Sequence, residues 1–388
     1  MIPLDTEALL SEARRRAGFD DFGDLFEPFR APMDMQVRSM RDEARLTAAG
    51  RDAMVEGVLS ALVNVLRMAD DLKRHPEILD EPVRVAALVV GLPRTGSTML
   101  HRMLATHPQA TAPLWWEVTY LAPFPGERRG DPGPRQEAGR AQVRWMCDNM
   151  PDLISIHPMD ADAPDEDVMA MEQVFVGTAA ECRMHLPSYV AYIERLDKRP
   201  VYRFLRTLLQ YLQWQSPQRA GKAWVLKAPA HLTALSTVLE TFPEAHIVMT
   251  HRDPVAVVPS FASLGYTLTK LGSDHADPAV IGRHWSRRWR AALTDFMATR
   301  AGAAGHRFID VMYQEQVADP LGTATRVMEK IGLPVDAAAG QALRAWVDAN
   351  PRDKRASHRY TPEMFGLTEA GLKADYGFYR DAFGFSDR

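Results

Sequence analysis

The run Val83 to Val90 (Val-Arg-Val-Ala-Ala-Leu-Val-Val), followed at once by Gly91-Leu92-Pro93-Arg94-Thr95-Gly96-Ser97-Thr98, constrains this chain more than any other feature. A short, nearly continuous valine-rich run is the pattern of a strand buried on both faces of a parallel sheet. The glycine-bearing turn and the helical pattern Met99 to Thr106 complete a strand–loop–helix unit. Successive backbone N–H groups in such a turn, backed by the positive end of a helix, cradle an anion. Gly96 lets the chain approach that anion closely, and Ser97 and Thr98 add hydroxyl donors. The spacing is close to the nucleotide phosphate loop Gly-x-x-x-x-Gly-Lys-Ser/Thr. Ser97 stands in the lysine position, however, and Arg94, three residues earlier, supplies a cation instead. Ordinary ATP or GTP hydrolysis needs that lysine on the β and γ phosphates, so the loop argues against it.

Three more short apolar runs follow: Ala223 to Lys227, Ala245 to Thr250 and Arg307 to Met312, with helical patterns between them. Strands alternating with helices predict an α/β fold whose central parallel sheet is covered on both faces. Residues 1 to about 75 read as helical: Thr6 is expected to cap a helix carrying Leu9, Leu10 and Ala13. Arg51 to Lys73 puts Met54, Val58, Leu62, Val65 and Leu66 on one face. The expected organisation is an N-terminal helical arm over 1–80 and an α/β domain over 81–388. A helical insertion at about 140–220 lies between the first core strands and is expected to cover an acceptor site. Residues 124 to 135, rich in Gly, Pro and Arg, read as a surface loop.

Charge and cysteine usage exclude several classes. Lysine and arginine total 46 against 50 acidic residues, a net −4, so neither a general nucleic-acid binder nor an anionic-membrane binder is expected. The run Arg283, Arg287, Arg288 and Arg290 reads as a solvated helix face. Two cysteines make neither a disulfide framework nor a cysteine-rich zinc site, so a reducing, cytoplasmic setting is expected. The longest clean apolar stretch, Val85 to Pro93, is far short of the roughly 20 residues that span a bilayer. The helical N-terminus offers a surface for a homodimer.

Two further clusters belong at strand ends. His251-Arg252-Asp253-Pro254 follows the third run, with Ser260 eight residues beyond Arg252. Pro254 suits a first helical turn that Asp253 caps, and Arg252 then points to the crevice where open α/β sheets bind ligands. Trp224-Val-Leu-Lys-Ala-Pro-Ala-His231 puts Lys227 at the end of another strand and His231 at the start of the next helix, both expected to face that crevice. A buried ammonium at a strand end needs an anionic partner.

Together these clusters resemble the sulfotransferases that use 3′-phosphoadenosine-5′-phosphosulfate (PAPS). Gly91 to Thr98 looks like their 5′-phosphosulfate loop, with Arg94 where cytosolic members often have lysine. Phe242-Pro-Glu-Ala-His-Ile-Val-Met-Thr-His-Arg-Asp-Pro254 with Ser260 is similar to their 3′-phosphate motif. Trp115-Trp116-Glu117, Pro164-Asp-Glu-Asp167, Phe19 to Leu25 and Tyr360 to Leu367 extend the likeness to the bacterial branch with an N-terminal helical arm. The resemblance implies a P-loop-like three-layer α/β fold and transfer of a sulfonate from PAPS to a hydroxyl or amine of a small, rather apolar acceptor, with 3′,5′-ADP as co-product and no metal.

By the same resemblance, Arg94, Thr95, Gly96, Ser97 and Thr98 would hold the 5′-phosphosulfate, and Arg252 with Ser260 the 3′-phosphate. Lys227 would stabilise the departing phosphate, and Lys354 and Arg355 would reach the donor from a C-terminal basic loop. Two residues compete as general base. His231 has a suitable intrinsic pKa, but three residues separate it from Lys227 where cytosolic relatives have one. Glu117 follows two tryptophans, whose desolvation would make it a better proton acceptor. His157 and Glu166 are placed against the acceptor, although Asp165-Glu-Asp167 also reads as an acidic helix start complementing a dipole. The alternatives are an atypical P-loop small-molecule kinase and a non-catalytic adenosine-phosphate binder.

Overall fold

The computed structural model describes residues 2–156, 159–350 and 360–385. Five strands, β1 (Arg84–Gly91), β2 (Ala110–Thr111), β3 (Ala223–Lys227), β4 (His246–His251) and β5 (Phe308–Met312), form one parallel sheet in the order β2-β3-β1-β4-β5. Four of these match the expected runs to within a residue at either end. The fifth, β2, has two residues, too few to carry an alternation that a sequence could reveal.

Successive side chains of a strand leave it on opposite faces. Leu88 and Val90 accordingly join one buried cluster with Trp224, Leu226, Ile247 and Met249. Ala87 and Val89 join the other, with Val225, Val248, Ile309 and Val311. Helices Ser97–Leu104, Pro320–Lys330 and Ala337–Ala349 cover the second face through Leu100, Leu104, Val327 and Leu343. The first face is covered by Arg199–Gln215, Pro254–Lys270, Pro278–Ala301 and the N-terminal helices. This makes the three layers of a doubly covered α/β fold. Among the described residues no helix is long and apolar enough to cross a membrane.

The first 75 residues are helical as expected, with Thr6–Ala17, Arg30–Asp42 and Ala48–Arg74 as the main elements. The first cap is Asp5 rather than Thr6: its carboxylate accepts the N–H of Ala8 at 3.0 Å. Leu59, Leu62 and Leu66 share the buried cluster of the sheet's first face. The segment expected as a surface loop ends at Pro132, where the helix Gly133–Asn149 begins. Arg135 on that helix is buried and paired with Glu127 at 2.7 Å, so one of the loop's arginines is a core ion pair. Arg288 is likewise buried, 3.2 Å from Glu181, and is not part of a solvated face.

Candidate active site

In an open parallel sheet the ligand crevice lies beyond the carboxyl ends of the strands. Here β3, β1 and β4 are neighbours, so Lys227, the loop from Gly91 and Arg252 leave three adjacent strands at one end of the sheet. The topology therefore brings together Arg94 and Arg252, which the sequence places 158 positions apart.

The loop's shape is fixed from within. At Gly91, φ is +148°, and a Cβ there would lie 2.3 Å from Thr250 Oγ1 and 2.6 Å from its carbonyl oxygen, which only glycine avoids. Thr95 Oγ1 donates to the Leu92 carbonyl at 2.7 Å and lies 2.6 Å from Thr250 Oγ1, which donates to the Val90 carbonyl at 3.1 Å. Thr95 is buried, so its hydroxyl is spent on the loop itself and not on a ligand. Ser97 and Thr98 open the helix Ser97–Leu104, behind Gly96 at φ +86°.

Arg94 is one of three non-glycine residues described at positive φ (+69°), a conformation that costs about 1–2 kcal/mol and persists only when its surroundings impose it. Arg252 imposes it in part: Nη1 donates to the Arg94 carbonyl at 2.9 Å. The Arg252 guanidinium lies 4.4 Å from the centre of the Tyr313 ring. Gln316 Nε2 donates to the Gly96 carbonyl at 3.0 Å. Tyr313 and Gln316 belong to the short helix Tyr313–Ala318 directly after β5. Sequence reading missed both, although their place just beyond a parallel strand was a usable signal. Ser260 lies on the helix Pro254–Lys270, which Asp253 caps by accepting the Val255 N–H at 3.0 Å.

Lys227 answers the lysine missing from the loop. Its Nζ comes from the next strand to within 3.1 Å of Thr98 Oγ1, at the helix N-terminus. The same ammonium lies 2.5 Å from Glu166 Oε1, whose side chain is about one-fifth exposed while that of Lys227 is buried. The acidic triplet does precede a helix, Val168–Met171, with Asp167 at the N-cap position, but its carboxylates are committed to other partners. Asp165 caps the Glu166 N–H at 2.6 Å, and Asp167 is fully buried, with Oδ1 accepting the Lys227 N–H at 3.0 Å. Burial by itself would raise the Asp167 pKa, but His231 and the N–H donors outweigh it and hold the carboxyl below its usual range.

Neither expected base opens to the crevice. His231 is fully buried: Nδ1 is 2.8 Å from the Tyr202 hydroxyl and Nε2 is 2.9 Å from Asp167 Oδ2. With both ring nitrogens facing protein groups, it has none left for an acceptor. Glu117 is also buried, and its Oε2 accepts from the Leu114 N–H at 2.9 Å and from Arg219 at 2.8 Å. Arg219 packs over Trp224, 5.0 Å from the ring centre, near the start of β3, whereas Lys227 ends it. The carboxylate belongs to a buried ion pair at the wrong end of the strand. Removing one member of such a pair strands the other, at about 3–5 kcal/mol. The variant E117A is therefore expected to lower the urea midpoint by that equivalent, with turnover per folded molecule within a few-fold of wild type. His157, Lys354 and Arg355 lie outside the described residues.

His101, one turn into the loop's helix, donates from Nε2 to the Val225 carbonyl at 2.9 Å. Burial, with Lys227 nearby, lowers its pKa from 6.5 to about 4. A base whose folded pKa is depressed binds fewer protons folded than unfolded between those values, so stability falls as pH drops from 6.5 towards 4. The expected loss over that window is about 3 kcal/mol, read by urea denaturation at several pH values. An H101Q variant should flatten the slope. Among the described residues, no group of three or more His, Cys, Asp or Glu is gathered to hold a metal ion.

Comparison with known proteins agrees with this architecture. A family model described as the sulfotransferase family matches residues 87–337, which include the loop, Lys227, Arg252 and Tyr313. The omega-hydroxy-beta-dihydromenaquinone-9 sulfotransferase Stf3 of Mycobacterium tuberculosis is 27% identical over 303 residues, 75% of this chain and 73% of that protein. The solved sulfotransferase STF1 of Mycobacterium tuberculosis superposes with a TM-score of 0.84 at 29% identity, covering 96% of this chain and 98% of that one. STF9 of Mycobacterium avium gives 0.88 at 25% identity, covering 98% and 97%. An anion loop without its lysine, an ammonium delivered to it from the next strand and an arginine at the strand beyond thus sit on a fold shared end to end with known sulfotransferases: the chain belongs to the sulfotransferase family.

Proposed function

We propose that this sulfotransferase takes its sulfonate from PAPS, releases 3′,5′-ADP, and delivers the group to a hydroxyl of an apolar small molecule. The observation that carries the donor reading is Lys227 Nζ at 3.1 Å from Thr98 Oγ1. A cation at that helix N-terminus complements the loop N–H groups around a phosphosulfate, and it needs no lysine in the loop itself. Arg252 and Ser260 are the proposed 3′-phosphate ligands, and Arg94, Gly96, Ser97 and Thr98 those of the 5′-phosphosulfate. Thr95 shapes the loop through its internal hydrogen bonds.

In this reading the acceptor oxygen attacks sulfur in line as the bond from sulfur to the 5′-phosphate oxygen breaks. The electron pair of that bond passes to the phosphate, whose growing charge Lys227 stabilises. Glu166, 2.5 Å from Lys227 Nζ, is the carboxylate in reach of the reacting atoms, and we assign it the acceptor's proton. In the free protein it neutralises Lys227; an arriving polyanion takes that partner over and leaves Glu166 a free base. Next to this pair, Val168, Ala228 and Ala230 form a small apolar cluster with Met169. That cluster is buried, and the apolar acceptor is favoured by the hydroxylated dihydromenaquinone for which the Stf3 relatives are named.

Isothermal titration tests the donor. 3′,5′-ADP should bind without Mg²⁺, and more tightly than 5′-AMP. Tight binding of ATP–Mg²⁺ with none of 3′,5′-ADP would instead favour the small-molecule kinase.

A further inference from the structure

The chemistry assigned to Glu166 and Lys227 requires two side chains 61 positions apart to meet at one loop. One buried carboxylate serves both. Asp167 is the chain neighbour of Glu166, and its Oδ1 accepts the backbone N–H of Lys227 at 3.0 Å. Its Oδ2 lies 2.9 Å from His231 Nε2, and His231 Nδ1 is 2.8 Å from the hydroxyl of Tyr202 on the helix Arg199–Gln215. Asp167 and His231 have no exposed side-chain surface, and Val168, Ala228 and Ala230 pack alongside. Water is thereby kept from a set of contacts that link the insertion, the end of β3 and the helix beneath it, and polar contacts in such surroundings are strong and directional.

We propose that His231 is a positioning residue: it orients Asp167, which sets the Lys227 ammonium opposite the Glu166 carboxylate, and it does not itself take the acceptor's proton. The spacing explains the role. The three residues between Lys227 and His231 open the turn Pro229–Ala234, which carries the ring to Asp167 rather than outward to the crevice. No bond or proton changes hands at His231; it fixes geometry, and a displacement of an ångström at a reacting pair costs about 100-fold in rate. The inference rests on the roles proposed for Glu166 and Lys227.

The discriminating variant is H231Q. A glutamine amide can still donate to Asp167, but it cannot act as a base at neutral pH. We expect H231A to lower kcat by about 30- to 100-fold, H231Q to stay within about 5-fold of wild type, and both to bind 3′,5′-ADP within 2-fold of wild type. Equal inactivity of H231Q and H231A, each with a wild-type melting curve, would mean that the ring's basicity matters and would overturn the proposal; so would wild-type kcat in H231A. If H231A fails to fold, D167N carries the test: a kcat at least 10-fold down with unchanged 3′,5′-ADP binding supports the role, and unchanged kcat refutes it. An E166Q enzyme with full turnover would remove the base assignment alone, because the H231Q and H231A comparison still reports on Lys227.

Discussion

Replacement of Lys227 by methionine is expected to lower turnover by two to three orders of magnitude. Methionine keeps an unbranched stem of similar length, so the buried channel stays filled and the fold is retained. What disappears is the ammonium at 3.1 Å from Thr98 and 2.5 Å from Glu166. Removing one fixed donor from a developing oxyanion typically costs about 10²- to 10³-fold in kcat. A second effect compounds the first. Without its partner, Glu166 presents an uncompensated negative charge to an incoming donor that bears about four, so donor affinity falls as well. Steady-state kinetics on K227M should show a lower kcat and a higher donor KM together. A change in KM alone would place Lys227 in ground-state binding and out of the transition state.

The E166Q variant is expected to behave differently, and the difference carries the assignment. Glutamine occupies the same space and cannot accept a proton at neutral pH, so kcat should fall by about 10²- to 10⁴-fold. Donor affinity should move the other way. Deleting a carboxylate beside the loop removes repulsion against a polyanion and frees Lys227 for it, so 3′,5′-ADP binds equally or more tightly. Reduced turnover with tightened nucleotide binding is hard to produce by loosening the fold. If E166Q lost nucleotide binding instead, the carboxylate would be holding Lys227 in place and would not be serving as base.

These expectations differ from what the sequence alone supported, and the reason is geometric. The loop from Gly91 to Thr98 was legible because strand, glycine turn and helix are contiguous, and β1, β3, β4 and β5 because each is a short apolar run. Arg252 and Lys227 were legible because each ends such a run. Glu166 was legible only as a residue against the acceptor and Asp167 only as part of an acidic helix start; their meeting with Lys227 and His231 was not, since nothing in their neighbourhood says that this segment folds back onto the end of β3 from 61 residues away. Glu117 and His231 carried the right chemistry in plausible places. Their side chains are turned to Arg219 and to Asp167 with Tyr202, and the direction of a side chain is a tertiary fact. Tyr313 and Gln316 were signalled only by their place just after the last strand, which marks them as near the crevice but not as a brace for the loop. The sequence conveyed a cationic site and two candidate carboxylates, Glu117 and Glu166; it did not convey that Glu166 is the one that meets Lys227.

In the proposed reaction a sulfonate crosses from donor to acceptor at the meeting point of the anion loop, Lys227 and Glu166. Sulfur-labelled PAPS, incubated with the enzyme and an apolar extract containing lipid alcohols and quinols, tests it most directly. Label is expected in a discrete product of the organic phase with wild-type enzyme, and only about 1% or less of that rate with K227M. Undiminished labelling by K227M, or label that never leaves the nucleotide with the wild type across the extract, would contradict it.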